Sequence, residues 1–432
     1  MIKFFRKLWR DRRGNALVIA GAALPLIIGS AGLASDTIQW VLWKRQLQRA
    51  ADSAAIAGVY AEMQGKPVAS AVDTDLNGTG RTGWGAVALP KNQTTGISLQ
   101  SGYPQITYPT ITNTTNAVKV SLAIQKSLGF SGVFVSSAPV IVAEATAATV
   151  RTGAYCVVSL ESTSATGITA TGNSTLNLGC GMITNSTSLN AAIATGSSSV
   201  TASPIAAVGD IQDSTHWNGA ELLPFTVAEA DPFAAVNPPT FTGCQGSSNR
   251  INVNNPHDVL DRSTDTGVQC VSDISVSGTL RLGSATYVID SGNFSAGAQA
   301  NVSCTGCTII FTNSTSGSTA TIGGITNING GAQLNMTAPT AGTYNGILFY
   351  QDRRAAAGTT NSVNGNSSSL LSGAFYFPNQ ILDINGTSNL TFTCAQFVSL
   401  RVSFSGNGSI NNTCSAGYGP NAITGNHVRL VA

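Results

Sequence analysis

The sequence predicts an N-terminal transmembrane helix that continues into a long helix with a small α+β domain, followed by an all-β region. We expect that region to be a right-handed parallel β-helix, with a β-sandwich as the alternative. Three observations support this prediction. An uncharged apolar run covers residues 14–35, a helical period follows it, and short strand-like pieces separated by Gly, Asn, Ser and Thr fill residues 152–432.

The apolar run GNALVIAGAALPLIIGSAGLAS contains no charged residue. At 1.5 Å per residue it extends about 33 Å, which is enough to cross a hydrocarbon core of about 30 Å. The basic tip before it, residues 1–13, ends in Arg12 and Arg13, and short basic flanks remain in the cytoplasm. We therefore expect a single pass through a bacterial inner membrane, with the N-terminus cytoplasmic and the bulk of the chain periplasmic or exported.

A cleaved signal peptide is the alternative to this anchor, because Gly32 and Ala34 are small residues at a possible cleavage site. The apolar run is longer than the usual signal-peptide core, and the helical pattern continues past the site, so the sequence favours an uncleaved anchor. Pro25 predicts a kink rather than an end of the span. Trp40 and Trp43 follow the run where interfacial aromatic side chains are common.

The helical continuation covers residues 36–61. One face carries a narrow seam of mostly small residues at helical spacing, namely Leu47, Ala50, Ala51, Ala54 and Gly58. Ala50, Ala54 and Gly58 form a small-x3-small ladder that permits close approach of another helix in a membrane assembly. Docking of the same seam on the protein's own sheet is the alternative.

The stretch RRGNALVIAGAALPLIIGSAGLASD and, after a spacer, KRQLQRAADSAAIAGV resembles the N-terminal segment of Tad (tight adherence) pilus-assembly proteins of the TadE/TadG-like group. The matching positions are Arg13, Gly14, Asn15, Pro25, Gly32, Leu33, Asp36, Leu47, Gln48, Ala50, Ala51, Asp52, Ala54, Ala55, Ala57 and Gly58. Processed pilins carry a Glu five residues after the cut Gly, where this chain has Ile19. The resemblance therefore implies the uncut, TadG-like type.

The resemblance also implies a function and partners. It indicates a membrane-anchored, periplasm-facing structural or assembly component of a Tad/Flp-type adhesive pilus system. The lipid bilayer and other pilus-assembly subunits are the implied partners, and the cell wall or a glycan is a further candidate. A membrane-displayed or secreted β-helix protein that acts on or binds polysaccharide is the alternative function.

Residues 62–151 predict a small sheet-containing domain. Pro67 ends or bends the long helix. AVKVSLAI at 117–124 alternates with the period of a half-buried strand, and 133–135 and 139–150 supply further strands. SLGFSGVF and VIVAEATAATV resemble TadG-like stretches in the same order, although weakly.

The β-rich region, residues 152–432, has strands that recur every six to ten residues without the Asn-Gly turns of hairpins, and this pattern favours stacked parallel strands. Residues 210–265 contain five prolines and predict an insertion or long loop. All eight cysteines lie in this region, which indicates disulfides formed in an oxidising compartment. Many pairings are open, and proximity favours Cys156 with Cys180, Cys244 with Cys270, Cys304 with Cys307, and Cys394 with Cys414.

The charge pattern and the motifs indicate no nucleic acid, cofactor, metal or catalysis. Six of the 14 cations in residues 1–150 belong to the basic tip, where membrane topology accounts for them. Cys304-Thr-Gly-Cys307 precedes a strand rather than opening a helix, so a structural disulfide is favoured over a redox site. The best enzyme hypothesis is Asp352-Arg353-Arg354 with Asp383 and Arg401. A paired acid at fixed separation is missing, so we expect no enzyme.

Overall fold

The structure, a computed structural model, describes residues 14–77, 99–112, 114–126, 128, 130, 132, 136–315, 321–366, 368–414 and 421–431. The basic tip with Arg12 and Arg13, and the strand expected at 133–135, lie outside these residues. The chain divides into two compact units, one of residues 1–150 with 428–432 and one of residues 151–427.

Two α-helices lie near the start of the described chain, α1 at Gly14–Met63 and α2 at Val68–Asn77. A 3₁₀ turn covers Ser247–Asn249. Strands form most of the remainder. In chain order they are β1 Gln105–Thr107, β2 Thr114–Gln125, β3 Val140–Ser159, β4 Ile168–Ala170, β5 Thr175–Asn177, β6 Gly181–Thr184, β7 Ala192–Ala194, β8 Ser199–Thr201, β9 Ile205–Ala207, β10 Leu222–Leu223, β11 Arg250–Val253, β12 Val259–Arg262, β13 Gly267–Val271, β14 Asp273–Val276, β15 Thr279–Leu282, β16 Ala285–Asp290, β17 Phe294–Ala296, β18 Asn301–Thr305, β19 Thr308–Thr312, β20 Ile325–Ile328, β21 Gln333–Thr337, β22 Ile347–Gln351, β23 Thr360–Asn366, β24 Leu370–Ser372, β25 Ala374–Ser388, β26 Leu390–Thr393, β27 Gln396–Ser405, β28 Ser409–Thr413 and β29 Ile423–Leu430.

Helix α1 begins with Gly14 and Asn15 and continues on both sides of Pro25. It ends where Gly65 adopts a positive φ of 65° and the Lys66 amide donates to the Ala61 carbonyl at 2.8 Å. This is the left-handed cap that commonly closes a helix. Pro67 then stands directly before α2, in a position that is favourable for starting a helix.

The first unit places α1 and α2 against an antiparallel sheet. β2 pairs with both β1 and β3, and the predicted strand at 117–124 lies inside β2. The chain returns to this sheet at its end, where the Val431 amide donates to the Thr146 carbonyl at 2.9 Å. The last residues therefore belong to the first unit, and the second unit ends at residue 427.

The second unit is built from parallel strand pairs. One ladder runs β13, β16, β19, β22, β25, β27, β3, β6, β9 and β10. A second runs β11, β14, β17, β20, β23, β25, β27, β4 and β7, and a third runs β12, β15, β18, β21, β24, β26, β28, β5 and β8. An all-β region of parallel sheets is thus confirmed, and this pairing is not that of an antiparallel sandwich.

Spatial order and chain order differ in these ladders. Two late strands, β27 and β28, pair with the early strands β3, β4 and β5. Strands β3 to β10 thus form one part of the stack. The chain then crosses to the opposite end, and the strands from β11 to β28 add layers in the direction of β3, β4 and β5. Stacked Phe side chains fill the interior, among them Phe349 and Phe375, whose ring centroids are 5.1 Å apart.

The crossing is made by residues 224–249, which we name the strap. Its contacts follow the first ladder in spatial order: the Thr226 amide binds the Ala207 carbonyl after β9, and the Cys244 amide binds the Asp290 carboxylate at the end of β16. Strands β10, β11 and β12 lie within the expected insertion of residues 210–265. The strap occupies the part of that segment between β10 and β11.

Four disulfide bonds fasten the second unit. They join Cys156 to Cys180, Cys244 to Cys270, Cys304 to Cys307, and Cys394 to Cys414. The first links Cys156, near the end of β3, to Cys180, which directly precedes β6, and the second holds the strap against β13. The bond between Cys304 and Cys307 closes the short turn between β18 and β19, and the other three join residues 20 to 26 positions apart.

Candidate functional site

Helix α1 presents an exposed apolar surface over its first half. Within the described residues it is the helix that is long and apolar enough to cross a membrane. Its most exposed side chain is Leu26 at 75%, and the exposed apolar series continues past the expected end of the span. The series consists of Ile19, Leu24, Leu26, Ile27, Ile28, Leu33, Ile38, Val41 and Leu42.

From Asp36 onward the other side of α1 is held by the β2–β3 hairpin. Asp36 is buried, the Lys44 ammonium donates to the Val142 carbonyl, and the Gln48 amide donates to the Glu144 carbonyl at 2.7 Å. Trp40 and Trp43 are half-buried. The Lys126 ammonium lies 5.8 Å from the centre of the Trp43 ring.

The seam of small residues is buried within the first unit. Leu47, Ala50, Ala51 and Ala54 are at most 1% exposed. A Cβ at Gly58 would lie only 2.9 Å from a Val118 methyl group on β2, so glycine permits this close contact. The seam thus docks on the protein's own sheet, the second of the two arrangements that the sequence leaves open. Because it is buried, it is not a free surface for a second helix.

The Asp352-Arg353-Arg354 cluster is engaged in the fold of the second unit. Asp352 is buried, and its carboxylate accepts from Arg354 Nη2 at 2.8 Å and from the Thr312 hydroxyl at 2.7 Å. Burial raises the pKa of this carboxyl, but the hydrogen bonds from Arg354 and Thr312 outweigh burial and hold the pKa below its ordinary value. Arg354 also donates to the carbonyls of Asn313 and Thr315, so it closes the end of β19.

Arg353 fastens the strap instead. Its guanidinium donates to the carbonyls of Phe233 and Val236, lies 3.4 Å from the Asp231 carboxylate and stands 5.5 Å from the Tyr376 ring centre. The hydroxyls of three tyrosines add to this attachment: Tyr376 donates to Asp231, Tyr350 to the Val236 carbonyl and Tyr344 to the Asn237 carbonyl, each at 2.7 Å.

The other two residues of the enzyme hypothesis have partners of their own. Arg401 Nε donates to the buried Glu161 carboxylate at 2.7 Å. Asp383 accepts a long hydrogen bond of 3.5 Å from the Ser405 hydroxyl. Neither contact involves Asp352, whose carboxylate has Thr312 and Arg354 as its described partners.

Cys244, Cys270 and Asp290 bring sulfur and carboxylate atoms within 4.8 Å of one another. The two sulfurs are joined in a disulfide, and Asp290 accepts from the amides of Cys244 and Ser314 at 3.0 and 2.9 Å. Thiolates are therefore absent from this group and the carboxylate is already engaged, so its chemistry does not fit a metal. Asp290 instead anchors the end of the strap.

A polar cleft of about 370 Å³ lies beside the cluster, along β20, β23 and the middle of β25. Its lining includes Ser291, Asn293, Thr359, Thr360, Asn361 and Gln380, with Arg354 as the charged residue. Behind it the Gln351 amide donates to the Gly323 carbonyl at 2.8 Å and to Gln380 at 2.7 Å. The cleft therefore offers amide and hydroxyl groups held by a buried network.

A second cleft, of about 400 Å³, contains the Glu229 carboxyl from the strap. Burial raises the pKa of Glu229 to about 7. The backbone of Glu229 is fixed by Asn185, whose side-chain oxygen accepts from the Glu229 amide at 2.7 Å and whose side-chain nitrogen donates to the Glu229 carbonyl at 2.8 Å. Nothing in the sequence around Glu229 marked it, because its burial depends on how the strap lies.

Comparison with curated proteins and with solved structures gives no match. Comparison with protein-family models gives a match at the N-terminal segment, over the apolar run and the seam. The resemblance inferred from the sequence is therefore confirmed there. Residues 14–64, which include all of α1, match the model of the putative Flp pilus-assembly TadE/G-like family.

Proposed function

We propose that this chain is a membrane-anchored, periplasm-facing structural or assembly component of a Tad/Flp-type pilus system. The observation that carries the proposal is the coincidence of the family match with a helix of two halves. The first half of α1 has exposed apolar side chains, as a bilayer span requires, and the second half is docked on a folded domain. Other pilus-assembly subunits are the partners that this role requires.

We also infer that the three ladders of the second unit close into a right-handed parallel β-helix. Each ladder takes strands in the same spatial order, and the fully buried Phe side chains belong to one interior cluster. A rigid stack of this kind suits a structural role. The charged residues Asp352, Arg353, Arg354 and Arg401 support the fold through their contacts, so we propose that the chain is not an enzyme.

Binding of a cell-wall glycan is a second candidate function, and the polar cleft favours it. Amide and hydroxyl groups match the donors and acceptors of neutral sugars, and about 370 Å³ lies within the usual range of ligand sites. Titration of the protein with the N-acetylglucosamine trimer, and sedimentation with purified peptidoglycan, test this candidate. Thr360→Arg, at an exposed lining position, should abolish binding, and absence of binding by the unmodified protein rejects the candidate.

The anchor and its orientation are tested in membranes of cells that express the full chain. After alkaline carbonate washing the protein should stay in the membrane fraction, and N-terminal sequencing should show a start before Gly14. Protease added to the periplasmic side should digest the β region and spare the basic tip. A soluble protein that starts near Ser35 would overturn the anchor.

The assembly role is tested by deletion of the gene in a cell that makes Flp-type pili. Fibre number should fall, and the full chain should restore it. A variant with Arg substituted for Ile27 and Ile28, both exposed in the first half of α1, should fail to restore fibres because it cannot enter the bilayer. Normal fibre output in the deletion strain would reject the role.

A further inference from the structure

Phe130, in the connection between β2 and β3, lies against the first half of α1. Three contacts trace the course of the hairpin: Val118 lies next to Gly58, Lys126 is 5.8 Å from the Trp43 ring centre, and Phe130 packs on Gly32. As residue numbers rise along β2 and into the connection, they fall along α1. The hairpin therefore follows the helix backward, and Phe130 lies level with Gly32.

Glycine at position 32 is what permits this arrangement. A Cβ there would lie 2.2 to 2.4 Å from three atoms of the Phe130 ring, which is closer than nonbonded atoms approach. The ring thus sits directly on the backbone of α1. By contrast, a Cβ at Gly29, one turn earlier, would meet nothing within 4 Å.

The position of Phe130 along α1 sets its depth relative to the proposed span. Gly32 comes three residues before Ser35, the expected end of the span, which corresponds to about 4.5 Å along the helix axis. The exposed apolar series of α1 continues to Leu42, so a boundary farther along the helix would place the turn deeper still. Phe130 is therefore level with hydrocarbon rather than with water.

The composition of the hairpin end suits that depth. Residues 125–143 contain no Asp or Glu, and their single cation is Lys126. Leu128 and Phe130 are half-buried, while Val140 and Val142 at the start of β3 remain 46% and 38% exposed. Lys126 and Lys44 stand farther out along α1, where ammonium groups reach lipid phosphates.

We propose that the turn of the β2–β3 hairpin, at Leu128 and Phe130, inserts into the outer leaflet of the bilayer that α1 crosses. The lipid surface is favoured as the partner because the apolar end of the hairpin is continuous with the exposed apolar face of α1 through the Phe130–Gly32 contact. The first unit is then held at the membrane by two segments. This inference rests on the proposed membrane anchor.

Photocrosslinking of the full chain in its native membrane tests the inference separately from the anchor. The photoreactive residue p-benzoylphenylalanine replaces Phe130, Leu26 in the proposed span, or Tyr108, which is 60% exposed between β1 and β2. After irradiation, mass spectrometry should find phospholipid adducts at 130 and 26, with at least a tenfold lower yield at 108.

Each outcome decides between the two ideas. Adducts at 26 without adducts at 130 would overturn the hairpin insertion and leave the anchor standing. Absence of adducts at 26 would overturn the anchor, and the inference with it. Crosslinking of position 130 to another polypeptide instead of lipid would show that a protein partner covers the hairpin, and would also overturn the inference.

A second measurement uses the Gly32 contact. With the photoreactive residue at Leu128, Gly32→Leu should displace the Phe130 ring and lower the lipid adducts at 128 by at least fivefold. Gly29→Leu is the matched control and should leave the yield unchanged, because its side chain enters open space. An equal yield in both variants would contradict a turn that is positioned by α1.

Discussion

Removal of the Arg354 side chain should leave a buried charge without its main partner. Asp352 has a side chain only 7% exposed, and in Arg354→Ala it would keep the Thr312 hydroxyl at 2.7 Å and the backbone amide of residue 354 at 2.9 Å. Breaking a buried ion pair costs about 3–5 kcal/mol. Because the Arg354 side chain is itself 37% exposed, we expect a cost below this range, about 2–3 kcal/mol.

Hydrogen exchange followed by mass spectrometry is the suitable assay, since it reports the β region separately from α1. Amides of β19 and β22 should exchange roughly 30 to 150 times faster in Arg354→Ala at pH 7, at 1.36 kcal/mol per factor of ten. The folded-state pKa of Asp352 is lowered, so this stabilisation is present above the unfolded pKa of about 3.9. It is lost as the pH falls through the folded value.

Two further variants make the reasoning refutable. Arg281→Ala removes an ion pair whose side chains are 53% and 51% exposed, and should change exchange by less than about threefold. Asp352→Asn with Arg354→Met removes both charges and should recover most of the protection. If Arg354→Ala exchanges like the unmodified protein, or if the double variant is no better, the buried charge is not the cause.

Three other predictions concern the seam, the strap and the second cleft. Gly58→Ala should destabilise the first unit by about 1–3 kcal/mol in urea unfolding, because its methyl group would meet β2 at 2.9 Å, whereas Gly29→Ala should not. Replacing Cys244 and Cys270 by Ser should make the strap the first site of thermolysin cleavage, since a bond spanning 26 residues contributes about 3 kcal/mol, and unchanged cleavage would contradict this. Glu229→Gln should raise the melting temperature of the β region at pH 8 and have little effect at pH 5. Because the pKa of Glu229 is raised to about 7, ionisation of this carboxyl destabilises the folded protein as the pH rises through that value. An equal effect of the substitution at both pH values would refute the raised pKa.

The N-terminal helix was predictable because its signal is local and long. An apolar run and a seam at helical spacing depend only on neighbours along one helix, and α1 has both. Helix α2 was missed although Pro67 stands directly before it, a position that starts helices as well as ending them. Whether the seam meets another subunit or the protein's own sheet could not be read from the helix, because Val118 lies 60 residues away in the sequence from Gly58.

The parallel stacking of strands was predictable in kind, and their spatial order was not. Strands of three to seven apolar and polar residues are nearly interchangeable in pattern, so nothing local tells β27 to pair with β3 rather than with a later strand. The strap depends on contacts such as Arg353 with Phe233, whose partners are 120 residues apart. Arg353, which belongs to the catalytic candidate in the sequence, is thus an attachment point of the strap.

The last residues of the chain pack on the sheet that supports the helix matched by the family model. The match covers α1, yet the sheet that supports α1 includes β3 and receives the Val431 amide at its edge. The whole second unit lies between these two points of the chain, as an insertion into the first unit. A frame of helix and sheet can keep its structure while the inserted segment changes, because both ends of the insertion start from one sheet. The polar cleft lies in the insertion, whereas α1 and the β2–β3 hairpin lie in the frame.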